Sequence, residues 1–200
     1  EVVGSPINGE VLSAKEFRDL PLVAFEDVQL RFPPETCRMH ILLGYQQMNG
    51  LRMRKFEEAK AKGYTLESYV ASDIFRVEPI SIGENCFILD NQSISLDVTI
   101  GNNVVMWSSN HIGDMSVVRD HAWIASHVTV AANVTIDERA FVGVGATISN
   151  GVTIGTESLV GANVMVTSDT APCSVHVLGQ GKVDVDARPF MRMMMASKKL

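Results

Sequence analysis

Residues 128–166 divide into hexads without an insertion: VTVAAN, VTIDER, AFVGVG, ATISNG, VTIGTE, SLVGAN and the opening VMV of a seventh. The third residue of each is Val or Ile, and the same register reaches back to Ile82. It passes through Ile88, Ile94, Ile100, Met106, Ile112, Val118 and Ile124, so that fifteen successive positions are Ile, Val or Met. Four residues after nearly every one stands a small or β-branched residue; Gln92 and Asn110 are the exceptions. Gly follows the aliphatic residue directly at 83, 101, 113, 143, 155 and 161.

A period of six suits neither a helix nor a simple alternating strand. It is the period of a hexapeptide β-helix, in which each hexad is a short strand and a corner. The aliphatic residue points into a narrow core. The small residue fills the space beside it, where a larger one would overpack. Corners need residues that tolerate positive φ, and Asn102–Asn103, Asn150–Gly151 and Ala162–Asn163 supply them. Three hexads close one triangular coil of 18 residues, so fifteen hexads predict about five coils.

The segments Ile82-Gly-Glu-Asn85, Ile100-Gly-Asn-Asn103, Val142-Gly-Val-Gly-Ala146, Ile154-Gly-Thr-Glu-Ser158 and Val160-Gly-Ala-Asn163 resemble the left-handed β-helix acyltransferases. The left hand is implied by that resemblance; the usual rule for parallel crossovers would give the opposite hand. The predicted fold is therefore mostly β: a left-handed parallel β-helix preceded by a small α/β, Rossmann-like lobe.

The lobe is read from residues 20–75. Leu22–Phe25 suggests a short strand, and Met39–Leu43 is an apolar, buried-strand pattern ending at Gly44. Asn49 to Lys62 reads as a helix with Leu51, Phe56 and Ala59 inward, and with Arg52, Arg54, Lys55, Glu57, Glu58, Lys60 and Lys62 on a solvated face. Tyr64–Val70 follows as a second strand, completing a parallel βαβ unit. The stretch Ile41–Arg52, through Lys62-Gly63-Tyr64, resembles the lobe that precedes the β-helix in sugar acyltransferases of the NeuD/PglD type. There the lobe holds a nucleotide-sugar substrate; in this chain the contacts are expected around Gly44, Tyr45 and Asn49, where the apolar strand ends directly before a helix and turn N–H groups can meet phosphate. Relatives open on a strand and a Gly-rich turn; Gly4-Ser5-Pro6 is a poor substitute, and the chain begins with Glu1. The expected division is 1–75 for the lobe, 76–182 for the β-helix and 183–200 for a basic, Met-rich tail. Gly179-Gln180-Gly181-Lys182 stands at the family's exit from the helix, without its Pro.

Bulk properties narrow the function. The chain is 46% hydrophobic and 20% charged, the balance of a globular protein. A net charge of −6 with no basic cluster argues against nucleic acid or an anionic membrane as partner. Cys37, Cys86 and Cys173 fit neither a disulfide framework nor a metal spacing, and a reducing cytoplasm is the default. No run reaches the length of a membrane span, and no signal peptide is visible.

The resemblance implies acetyl transfer from acetyl-CoA to an amine or hydroxyl of a nucleotide-linked sugar in a surface-glycan pathway, by a homotrimer whose clefts lie between neighbouring β-helices. The family's general base is a corner histidine. That register falls on Asp114: where close relatives read Asn-His-Ile-Gly-His-His-Ser, this chain reads Asn110-His-Ile-Gly-Asp114-Met115-Ser116. A general base must take a proton as the tetrahedral intermediate forms, and an unperturbed imidazole titrates in the useful range. Three readings stay open. Asp114 acts after desolvation; His111, three residues earlier, acts instead; or no strong base is needed, because an amine is partly neutral near pH 7, which favours N- over O-acetylation. A sugar O-acetyltransferase and a non-catalytic β-helix scaffold remain as rivals. A β-helix zinc hydrolyase would need three converging histidines. His121 and His127 fall on different corners, so no metal is expected. By the same resemblance the donor's pantetheine lies along Ala132, Val144, Gly161 and Ala162, with Lys182 near a phosphate.

Overall fold

The computed structural model describes residues 2–4, 16–17, 20–178 and 181–183, with side chains from 21 to 178. The Gly4–Gly9 loop and the tail expected over 183–200 lie largely outside these residues.

The architecture is a left-handed parallel β-helix. Its first face carries strands Tyr69–Val70, Phe87–Ile88, Val105–Met106, Trp123–Ile124, Phe141–Val142, Leu159–Val160 and Val175–Val177, with Gly181–Val183 added antiparallel at the end. The second face runs from Phe75–Arg76 through Ser93–Ile94, His111–Ile112, Thr129–Val130 and Thr147–Ile148 to Met165–Val166. The third runs from Ile80–Ile82 through Val98–Ile100, Val117–Val118 and Thr135–Ile136 to Thr153–Ile154. Partners are 18 residues apart, as in Ser93↔His111 and Val117↔Thr135.

Six strands on the second face make about six turns rather than five. The extra turn precedes Ile82. It escapes the hexad register because Arg76 occupies the position paired with Ile94, while Ile74 packs against the core nearby. At the other end Val160 pairs with His176, two residues short of a full turn, and the period stops there.

Both residues read as inward are inward. Ile88, Ile94, Met106, Ile112, Ile124, Val130, Ile136, Val142, Ile148, Ile154 and Val160 have no exposure, nor do Cys86, Val104, Ala122, Ala140 and Ala146. Burying each large aliphatic side chain contributes about 1.5–3 kcal/mol. Each corner holds one left-handed residue per turn: Asn85, Asn103, His121, Arg139 and Glu157 between the third and first faces; Asn91, Ser109, His127, Gly145 and Asn163 between the first and second; Asp97, Met115, Asn133 and Gly151 between the second and third. Asn and Gly take this conformation most cheaply.

The outward residues distinguish the faces. On the first they are Tyr69, Phe87, Val105, Trp123, Phe141, Leu159 and Val175; on the second, Phe75, Ser93, His111, Thr129, Thr147 and Met165. The lobe covers the apolar one. Tyr45 sets its ring edge-on to Trp123 and Phe141 at 5.2 and 5.1 Å, and Met48 is buried with Leu159 and Val175.

Within the lobe, strands Arg38–Met39 and Thr65–Leu66 run parallel and flank a helix, Gly50–Ala61, as the βαβ reading requires. The strand expected over Met39–Leu43 is shorter. Ile41 turns its N–H and C=O to the side chain of Asn85, at 2.6 and 3.0 Å, and Leu42 is exposed. The strand expected over Tyr64–Val70 is divided: Thr65–Leu66 pairs in the lobe, and Tyr69–Val70 pairs with Phe87–Ile88 of the β-helix.

Arg52 does not belong to the solvated face. It has no exposure, and its guanidinium donates to the carbonyls of Asn103 and His121 and to Asn49 Oδ1 while lying over the Trp123 ring. Burial lowers its pKa to about 9. Carbonyl acceptors supply what a carboxylate partner otherwise would.

Candidate functional site

Asp114 and His111 sit on one turn of the β-helix. His111 points outward from the second face, and Asp114 occupies the corner between the second and third faces. Both are exposed, and each is held by the turn before rather than by the other. Asp114 Oδ1 accepts the N–H of Leu96 at 3.1 Å, and His111 Nδ1 lies 3.4 Å from Ser93 Oγ. Met115, in the left-handed conformation with φ 56°, and Leu96 give this corner an apolar rim.

The expected donor residues fall into two groups. Ala132 stacks directly on Asp114, since the N–H of Asn133 donates to the Asp114 carbonyl at 2.8 Å. Val144, Gly161 and Ala162 gather at the corner between the first and second faces, where the N–H of Asn163 reaches the Val144 carbonyl at 2.8 Å. Val144 and Ala162 are exposed and Gly161 is half-buried. Lys182 lies in the last strand, opposite His176 in register; its side chain is outside the described residues.

Of the residues expected to meet the acceptor, Gly44 and Tyr45 are half-buried at the edge of the lobe. Asn49 is not available. It is fully buried, and its amide is used by the carbonyl of Arg139 at 3.1 Å and by Arg52 at 2.9 Å. The lobe also contains an open cavity of about 220 Å³ whose lining includes Phe25, Arg38, His40, Leu43, Lys55 and Tyr64.

His121 belongs to a structural ladder, not to the site. The N–H and C=O of Ile41 fix the amide of Asn85. Asn85 Nδ2 then donates to Asn103 Oδ1 at 2.8 Å, so Asn103 Nδ2 must donate to His121 Nδ1, also at 2.8 Å. This chain of amides keeps the imidazole neutral, with its proton on Nε2. Burial pushes its pKa down to about 4, Arg52 and Arg139 add to the fall, and Asp120 opposes it. His127 stands on the remaining corner. Among the described residues no three His, Cys, Asp or Glu side chains gather to hold a metal ion, and no helix is long and apolar enough to cross a membrane.

Geometry separates the elements of the site. The lobe covers the first face, whereas Asp114 and Ala132 mark the corner opposite it. A ligand held by the lobe of one chain is thus turned away from the Asp114 corner of the same chain.

Comparison with known proteins gives the fold independent support. Residues 133–168 match the family described as "Hexapeptide repeat of succinyl-transferase". No curated protein matches the chain. Among solved structures, a mutant of perosamine N-acetyltransferase from Caulobacter crescentus, in complex with CoA and GDP-perosamine, is 22% identical with a TM-score of 0.77. The match covers 84% of this chain and 79% of that one. The acetyltransferase domain of PglB from Neisseria gonorrhoeae FA1090, in complex with acetyl coenzyme A, is 16% identical with a TM-score of 0.72 over 90% of this chain and 82% of that one. WeeI from Acinetobacter baumannii AYE is 17% identical with a TM-score of 0.76 over 86% and 82%.

Proposed function

We propose that the chain is an acyltransferase that moves an acetyl group from acetyl-CoA to the amino group of a nucleotide-linked sugar. What carries the reading is that the β-helix and its lobe together share their fold with an N-acetyltransferase that holds CoA and GDP-perosamine. The local chemistry is compatible. The lobe cavity joins aromatic rings to Arg38 and Lys55, a lining suited to a base and its phosphates. The corner at Val144, Gly161 and Ala162 leaves backbone open to an extended pantetheine.

The reaction needs a nucleophile and an acceptor for its proton. The amine nitrogen attacks the thioester carbonyl, the C–N bond forms, and the tetrahedral intermediate collapses with loss of CoA as thiolate. The proton released by the nitrogen passes to a base and finally to the thiolate or to water. In this reading His111, three residues from the corner, takes it. Asp114, whose Oδ1 is anchored to Leu96, orients the amine. An amine is partly neutral near pH 7 and asks less of a base than a hydroxyl does, so the reading is N-acetylation.

Because the lobe and the Asp114 corner face opposite sides of the β-helix, the site needs two chains. A cyclic homotrimer sets the second–third corner of one chain against the first–second corner of the next. Ala132 then joins Val144, Gly161 and Ala162 in one groove.

The test is thiol release from acetyl-CoA with a panel of nucleotide amino sugars and their hydroxyl counterparts. The reading expects turnover with at least one amine and far less with its hydroxyl analogue. Turnover with hydroxyls alone would replace it by O-acetylation. Absence of both turnover and acetyl-CoA binding would leave the scaffold reading, which the exchange of histidine for Asp114 favours.

A further inference from the structure

The geometry points to Trp107 as the end wall of the acyl-donor groove, a specificity residue that limits the acyl group to a short chain; the inference rests on the donor groove proposed above. At the corner between the first and second faces, equivalent positions on successive turns are Leu89, Trp107, Ala125, Gly143 and Gly161. Ala125 is buried and the two glycines carry no side chain, but Trp107 is 44% exposed. With turns about 4.8 Å apart, the Trp107 backbone stands roughly 10 Å along the corner from Gly143 and roughly 14 Å from Gly161.

The fold fixes this tryptophan from beneath. The two breaks in the pattern of small inward residues, Gln92 and Asn110, both donate their side-chain amides to the Trp107 carbonyl, and each is only 2% exposed. Asn110 also accepts the N–H of Val128 at 2.8 Å. Gln92 Oε1 is left buried without a partner, a cost that structures seldom carry without a reason. Ser116 serves the equivalent carbonyl of Ala131 with a single hydroxyl. The indole itself leans on Trp123 at 6.3 Å, which is braced by Tyr45, Phe141 and Arg52. An exposed aromatic ring with a clamped backbone and a braced edge is a rigid surface.

Height decides what that surface meets. His111 and Asp114 follow Trp107 by four and seven residues, so all three share one turn. In a ring whose axis is parallel to the β-helices, equal turns lie at equal heights. The partner's Asp114 corner therefore stands level with Trp107. The thioester carbon must descend to that level to react, while Val144, Gly161 and Ala162 hold the pantetheine above it. Whatever extends beyond the carbonyl runs against the indole. An acetyl group fits short of it, and a longer chain does not.

The experiment compares kcat/KM for acetyl-, butyryl- and hexanoyl-CoA in the wild type, Trp107→Leu and Trp107→Ala, with calorimetric titration of each thioester and of CoA. The expected result is a hexanoyl-to-acetyl ratio that rises from wild type to Leu to Ala, by at least about tenfold in the alanine variant, the lower bound for discrimination by an apolar pocket. CoA affinity should change little. Should Trp107→Ala not fold, the leucine variant still decides the order. An unchanged ratio in a wild type that turns over acetyl-CoA overturns the wall and leaves the transferase standing. A wild type that binds no CoA thioester overturns both.

Discussion

Replacing His121 with Asn should remove an acid sensitivity that the ladder builds into the fold. His121 Nδ1 must accept a hydrogen bond from Asn103, and the imidazole is enclosed by Phe56, Arg52 and Arg139, with Asp120 alone favouring a charge. In the unfolded chain a histidine titrates near 6.5, and in the native structure this one titrates near 4. Between those values the unfolded chain takes up a proton that the folded chain refuses. Stability is thus complete above about pH 6.5 and falls as the pH drops towards 4. At about 1.36 kcal/mol for each tenfold change in proton affinity, the fall from 6.5 to about 4 amounts to roughly 3 kcal/mol, most of it lost by pH 4.5. An Asn at this left-handed position continues the Asn85–Asn103 ladder and carries no titrating ring. Urea unfolding of both proteins from pH 7.5 to 4.5 measures the effect, and their difference cancels the carboxylates common to both. The variant should lose less stability than the wild type by roughly 2–3 kcal/mol across that range. A difference that stays flat would refute the neutral, hydrogen-bonded imidazole.

Two more outcomes follow from the packing. Arg52→Met should destabilise the protein by about 3 kcal/mol, because the Asn103 and His121 carbonyls lose a charged donor inside a closed interface; denaturant unfolding reads it, and a loss under about 1 kcal/mol would mean that those carbonyls are not dependent on it. Light scattering at micromolar concentration should give three times the mass of one 21.8 kDa chain, and a monomer would remove the shared site.

Much of the fold was legible because a β-helix repeats one local instruction. Each aliphatic residue from Ile88 on, and each Asn or Gly at a corner, can be read without knowledge of its distant neighbours, since those neighbours are the same residue types 18 positions away. The lobe was less legible. Arg52 looks like part of a solvated helical face by spacing, and only the carbonyls of Asn103 and His121, 51 and 69 residues distant, make its burial tolerable. The same holds for Asn49, whose amide reaches the Arg139 carbonyl 90 residues away. One signal was present in the sequence: Trp123, Phe141 and Leu159 recur at 18-residue intervals on an outward position, where the middle turns of the second face carry Ser93, His111, Thr129 and Thr147, and they mark the covered face. At the site, sequence located Asp114 and His111 on one turn. The division of the donor residues between two corners was there to be counted, since Ala132 and Val144 stand two hexads apart in an 18-residue coil, but the resemblance presents them as one set.

The central claim, that acetyl transfer occurs at the Asp114 corner with His111 as proton acceptor, is tested most directly by the pH–rate profiles of His111→Ala and Asp114→Asn at saturating acetyl-CoA. Measured across roughly pH 6–9, which brackets an imidazole's ordinary titration, His111→Ala should lose about 10²–10⁴ in rate, the usual share of a general base. Asp114→Asn should lose less, through misorientation of the amine. If both variants stay within about tenfold of the wild type, a barrier change of at most ~1.4 kcal/mol, and the profile follows the acceptor amine alone, neither residue carries the proton and the account of this corner is wrong.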